Sequence, residues 1–136
     1  MITKEAAFQK ISELVERFGE QFDSYKNANY NETLTRRDFI DPFFKALGWD
    51  VDESDEVNAE ERVSGGRVDY TFRINGSLKF ILEAKPLNSD LIRNDWAAQA
   101  IGYAWNKTCA WAVLTNFETI FIFNAYLKVP NPFQSA

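Results

Sequence analysis

The stretch Arg67-Val68-Asp69-Tyr70-Thr71-Phe72-Arg73-Ile74-Asn75-Gly76-Ser77-Leu78-Lys79-Phe80-Ile81-Leu82-Glu83-Ala84-Lys85 reads as two alternating runs joined by a turn. In the first run Val68, Tyr70, Phe72 and Ile74 share one side, with Asp69, Thr71 and Arg73 on the other. In the second, Leu78, Phe80, Leu82 and Ala84 form the apolar side; Lys79, Ile81, Glu83 and Lys85 form a side that is polar except for Ile81. Asn75-Gly76-Ser77 predicts a hairpin connection. A two-residue loop would pair Asp69 with Leu82 and mix the faces, because a slip of one residue turns every side chain over. The pattern therefore predicts a three-residue loop, Asp69 opposite Glu83 and Lys85 on the same polar face. Carboxylates on facing positions have β-carbons roughly 5 Å apart. They repel unless a cation joins them or one takes a proton. Oxygen ligands of this kind suit Mg²⁺, Mn²⁺ or Ca²⁺.

Before the hairpin, Phe8, Ile11, Leu14, Val15, Phe18 and Phe22 recur at helical spacing and predict an amphipathic helix from about Lys4 to Tyr25. A polar break from Asn27 to Asn31 separates it from a second helix, Glu32 to Leu47, with Leu34, Phe39, Ile40, Phe43, Phe44 and Leu47 inward. Asn31 is its N-cap and Gly48 its stop, while Pro42 inside it should kink or divide it. Trp49 to Val51 and Val57 to Val63 are the strand candidates ahead of the hairpin. Pro86 ends the second hairpin strand. A helix from Asp90 to about Asn106 follows, with Ile92, Trp96, Ala97, Ala100, Ile101, Tyr103 and Ala104 apolar. Two strands, Ala110 to Leu114 and Thr119 to Asn124, complete the order. Helix, helix, three strands, helix, two strands predicts an α/β sandwich on a mixed sheet, and residues 127–136 read as an exit tail from a single domain.

The composition narrows the chemistry. With no histidine among 136 residues, the chain cannot build a Ser-His or Cys-His triad or a His-ligated zinc site. Cys109 is the single cysteine, and its apolar neighbours predict a buried strand residue rather than a nucleophile. No window is apolar enough to span a membrane and the N-terminus has no secretory core, so a cytoplasmic protein is expected. The net charge of −5 is concentrated: Asp50, Asp52, Glu53, Asp55, Glu56, Glu60 and Glu61 carry seven acids. The remaining 13 acids (20 − 7) face 15 bases. The run reads as a solvated loop. Even so, the chain lacks the basic excess of a domain that grips DNA alone.

Asp69 followed by Glu83-Ala84-Lys85 on the next strand resembles the signature of the PD-(D/E)XK nuclease superfamily, with Val68 where the motif's proline would stand. The predicted element order resembles that superfamily's core, a restriction-endonuclease-like sandwich. Gln99 and Tyr103, four apart on one helix face, resemble the Gln-x-x-x-Tyr motif of RecB-like nucleases and type I restriction motor subunits. The stretch from Asn31 to Pro42, continuing to Leu47-Gly48-Trp49, is similar to the N-terminal region of type I restriction R subunits and fused type IIG restriction-modification enzymes. Ala112-Val113-Leu114-Thr115-Asn116 and Ile120-Phe121-Ile122-Phe123-Asn124 look like the closing strands of the same domains. In all, the resemblance spans roughly residues 25 to 126.

It implies Mg²⁺-dependent hydrolysis of DNA phosphodiester bonds, with Mn²⁺ as a substitute. Asp69, Glu83 and the Ala84 carbonyl would hold the metal, and Lys85 would stabilise the incoming hydroxide or the developing charge. Glu32 would be an additional acid, although at a helix start it also suits the dipole. Gln99, Tyr103 and Arg36 would support the site or the DNA, with Arg36 and Arg37 as candidates to touch phosphates. Trp96, Trp105 and Trp111 read as core. The expected partners are double-stranded DNA and recognition, methyltransferase or motor domains or subunits, with a dimer on DNA as an option and no membrane. Two alternatives remain open: a free-standing repair or phage nuclease, and a nuclease-like DNA-binding or assembly module without activity.

Overall fold

The helical spacing at the start of the chain forms α1, Lys4–Glu20, capped by Thr3, whose hydroxyl accepts from the Ala6 amide. A computed structural model describes residues 2–25, 29–63 and 66–136. Residues 26–28, including part of the expected polar break, lie outside the described residues. The predicted long first helix ends early, and after Gln21 a short α2, Phe22–Tyr25, resumes. Of its expected inward set only Leu14 is buried; Phe8 is 73% and Val15 55% exposed. Periodicity orients a helix, but here only part of the stripe has anything to pack against.

Asn31 caps the second helix as expected, accepting from the Leu34 amide. Pro42 divides that helix, and the structure shows how. After α3, Glu32–Thr35, the turn Arg36–Ile40 widens to a π-helix, and α4, Asp41–Ala46, follows. The Asp41 amide reaches back five residues to the Arg36 carbonyl. Proline at 42 has no N–H for the Asp38 carbonyl four residues earlier, an acceptor that would otherwise be orphaned. The Arg17 guanidinium of α1 donates to that carbonyl, tying α1 to the break. Gly48, at φ +103°, ends the helix as expected.

The sheet has five strands in sequence order: β1 Val57–Val63, β2 Gly66–Ile74, β3 Ser77–Ala84, β4 Trp111–Thr115 and β5 Ile120–Asn124. All neighbours are antiparallel except β3 and β4, which run parallel across α5, Asn94–Asn106. The fold is therefore the α/β sandwich expected, a mixed sheet between helical layers, consistent with a restriction-endonuclease-like fold. Trp49 to Val51 forms no strand, and α5 starts later than expected, leaving Ile92 65% exposed. Cys109 is buried just ahead of β4 rather than within it. The tail forms a short 3₁₀ turn, Pro132–Gln134, that seats Phe133 edge-on against Phe121 and Phe123.

The hairpin corrects one expectation and keeps its consequence. Ile74 pairs with Ser77, so the loop is the two-residue Asn75-Gly76, with φ of +51° and +79°, the left-handed pair a tight turn uses. A bulge then intervenes: Arg73 faces Leu78 but Phe72 faces Phe80, leaving Lys79 as the extra residue. Beyond it Thr71 meets Ile81 and Tyr70 meets Leu82, the register expected from a three-residue loop. The bulge also puts Leu78 against the core beneath α5, while Phe80 packs on the other face with Phe72 and Phe44. Neither face of the central strands is a solvent face. Thr71, Ile81 and Glu83, expected on a polar side, are 0%, 0% and 4% exposed.

Candidate active site

Asp69 sits where two ladders let go. The β1–β2 pairing runs on either side of it, Ala59 with Tyr70 and Glu61 with Val68, but skips Glu60 and Asp69. Glu60 there adopts φ +60°, unusual for a non-glycine inside a strand. On the other edge the β2–β3 pairing stops at Tyr70 and Leu82. Carboxylates replace the missing carbonyls: the Asp69 amide donates to Glu83 Oε1 at 3.2 Å, and the Ala84 amide donates to Asp69 Oδ2 at 2.8 Å. Each strand's acid thus caps the other strand's backbone. The strands are held apart by the side chains that would bind a cation, and one oxygen of each carboxyl remains uncommitted to the backbone.

Burial and the neighbouring Asp69 charge push the Glu83 carboxyl up to about 8. The pair therefore carries a proton at neutral pH when no cation is present. Glu32, the first residue of α3, faces the same place: burial and then Asp69 raise its carboxyl, while Arg36 and Lys85 pull it down. Lys85 also acts on Glu83, and its Nζ lies 4.7 Å from the centre of the Trp96 ring. Trp96, read as core, is half-buried and packs against the core while forming a shelf under the lysine, with the Arg93 guanidinium 4.4 Å from its ring centre; Trp105 and Trp111, also read as core, are instead 54% and 47% exposed.

Arg36 differs most from its expectation. Rather than reaching outward for phosphate, it is drawn in at the start of the π-turn. Its Nη1 lies 2.8 Å from Glu60, 3.7 Å from Glu32 and 3.9 Å from Asp69. Its Nη2 donates to the Asp69 carbonyl at 3.4 Å, its Nε donates to the Tyr70 hydroxyl at 3.1 Å, and the guanidinium lies 4.6 Å from the Tyr70 ring centre. The Tyr70 hydroxyl in turn donates to Asp41 at 2.6 Å. Burial opposes the charge on Arg36, yet the bonds to Glu60 and Tyr70 hold it above its ordinary value. Arg37 stays outside, paired with Asp38.

The structure gathers Asp69, Glu83, Glu32, Lys85 and Arg36 at one end of the β2–β3 gap. Among the described residues no three cysteines, acids or histidines converge as a ready metal cage. Gln99 and Tyr103 pair with each other, Nε2 to hydroxyl at 3.0 Å. The Tyr103 hydroxyl stands over Gly66, where a β-carbon would come within 2.6 Å of it. Their contact is therefore with the start of β2, three residues from Asp69.

The protein is 33% identical over 134 residues to the type II restriction enzyme and methyltransferase RM.Eco57I of Escherichia coli. The match takes in 88% of this chain but 13% of that protein, so the chain spans a small part of its relative's length. No family model matches, and no solved structure matches significantly. No described helix is long and apolar enough to cross a membrane.

Sequence reasoning missed Glu60, Tyr70 and Asp41 as members of the site. Glu60 was hidden in the acidic run, and its left-handed backbone has no local signature. Tyr70 looked like one more apolar β2 residue.

Proposed function

We propose that this chain is a restriction-type endonuclease domain of the PD-(D/E)XK kind, hydrolysing DNA phosphodiester bonds with Mg²⁺, or Mn²⁺ in its place. The observation that carries the reading is the reciprocal capping of Asp69 and Glu83 across the opened β2–β3 gap, beside Lys85, in a chain similar to a restriction enzyme. The donor set fits a hard divalent cation: all-oxygen, recessed, and carrying a proton that a cation would displace. Asp69, Glu83 and the Ala84 carbonyl would hold it. When bound, it would supply Lewis-acid activation of water and charge neutralisation at the phosphate.

The chain's own residues do the rest. Lys85, whose ammonium lies over the Trp96 ring and whose charge acts on Glu83 and Glu32, would hold the attacking oxygen and stabilise the charge that develops on phosphorus. Glu32 adds a carboxylate at the mouth, able to accept a proton from water. Glu83 and Asp69 keep their geometry through the backbone amides they cap, so the ligands are pre-positioned. Gln99 and Tyr103 brace the start of β2. Recognition, methyltransferase or motor regions, covalently attached or separate, would bring the duplex, and a dimer on DNA would supply a second cut.

Asp69→Asn in the full-length protein tests the reading: Mg²⁺-dependent cleavage is lost while the circular dichroism spectrum is kept, and EDTA stops the wild type. Cleavage retained by a folded Asp69→Asn protein would end it.

A further inference from the structure

One guanidinium nitrogen lies within 4 Å of three separate carboxylates at this site, Glu60, Glu32 and Asp69. In a two-metal hydrolase a second divalent ion sits about 4 Å from the first, bridged by shared acids. Here the acids beyond the Asp69–Glu83 pair are already taken by a fixed cation. We propose that Arg36 occupies the place of a second metal ion, so that the site binds a single divalent cation and uses the guanidinium as its other positive charge.

The placement is built in, not incidental. Arg36 opens the π-turn forced by Pro42, its side chain is 17% exposed, and five partners fix it: Glu60, Glu32, Asp69, the Tyr70 hydroxyl and the Tyr70 ring. A planar guanidinium cannot lose its proton in a protein, so this charge persists at any pH that the fold tolerates. Charge counting agrees. Four acids (Glu32, Glu60, Asp69, Glu83) and two bases (Arg36, Lys85) leave −2 with all groups ionised, which one divalent ion cancels. A second ion would bring the doubly occupied site to +2. Arg36 is thus a positioning residue for the metal ligand Asp69, through its carboxylate and its carbonyl alike.

The inference rests on the metal-dependent reading above, and its test separates the two. Mn²⁺ is titrated into the 136-residue protein, free ion being read by electron paramagnetic resonance. The wild type is expected to bind one ion at the site, lost in Asp69→Asn. Arg36→Met is expected to bind two, the extra ion disappearing in Arg36→Met/Glu32→Gln, which assigns it to this cluster rather than to the acidic loop. Arg36→Lys, which keeps a positive charge, is expected to bind one and guards against loss of the fold in the methionine variant. Two ions in the wild type, two in Arg36→Lys, or one in a folded Arg36→Met protein would overturn the role of Arg36 while leaving a metal-dependent nuclease intact. No Asp69-dependent ion in the wild type would overturn the nuclease reading itself.

Discussion

Replacing Glu83 by Gln should make the metal-free protein more stable at neutral pH. Burial and Asp69 raise this carboxyl from 4.5 to about 8 in the folded state. A raised folded value means that folding takes up a proton: the favourable contribution is complete below pH 4.5 and is lost as pH rises toward 8. At pH 7 the cost approaches 1.36 kcal/mol for each of roughly two and a half units, about 3 kcal/mol. Glutamine matches the protonated acid in shape, can still accept from the Asp69 amide, and can donate to the Asp69 carboxylate as the acid proton does. It escapes the titration, so Glu83→Gln should gain about 2–3 kcal/mol at pH 7 and almost nothing at pH 4.5. Urea unfolding in EDTA at half-unit steps from pH 4.5 to 8 checks this. Wild-type stability falls across that range, and the variant's profile is flatter by that amount. Equal pH profiles, or a variant less stable than wild type at pH 7, would refute the reasoning. Adding Mg²⁺ should narrow the gap, because an ion that binds only the wild-type pair stabilises only that protein.

Glu61 should behave in the opposite sense. Its hydrogen bond from Arg73, helped by Lys107 and Thr71, holds its carboxyl down to about 2, and its side chain is 16% exposed. That stability is present above pH 4.5 and fades as pH falls toward 2, so Glu61→Gln should lose about 1–2 kcal/mol at pH 7 after solvent screening, less below pH 4, by urea unfolding. Phe72 is fully buried, stacked on Phe80 at 4.3 Å between ring centres and flanked by Phe44 and Trp49. Phe72→Ala should cost about 3–5 kcal/mol, seen as a lowered thermal midpoint. The 136 residues alone, at net −5, should bind duplex DNA weakly at physiological salt in a fluorescence titration. Tight binding there would favour a free-standing nuclease.

The Asp69–Glu83 facing pair was legible because alternation senses the faces of strands directly. The turn was not, since a two-residue loop plus a bulge at Lys79 gives the same downstream register as a three-residue loop. Only the side on which Leu78 packs distinguishes them, and that depends on α5. Pro42 announced a break, but the carbonyl it orphans is satisfied from α1, across 21 residues of sequence. The inward turn of Arg36 was invisible for the same reason: its partners Glu60, Asp69 and Tyr70 come from β1 and β2. A stripe such as Phe8 and Val15 shows which face of α1 could pack, not that a neighbour is there.

The widened turn at Arg36–Ile40 holds one residue more than an α-helical turn, the Asp41 amide reaching five residues back to the Arg36 carbonyl. Deleting one residue within it would let an ordinary i→i+4 bond close in its place, leaving α3 and α4 close to their present phase. The same deletion inside α4, where no residue is spare, would turn Glu32 by about 100° relative to the elements packed beyond it. Single-residue deletions scanned through residues 36–46 should thus be tolerated best within the widened turn.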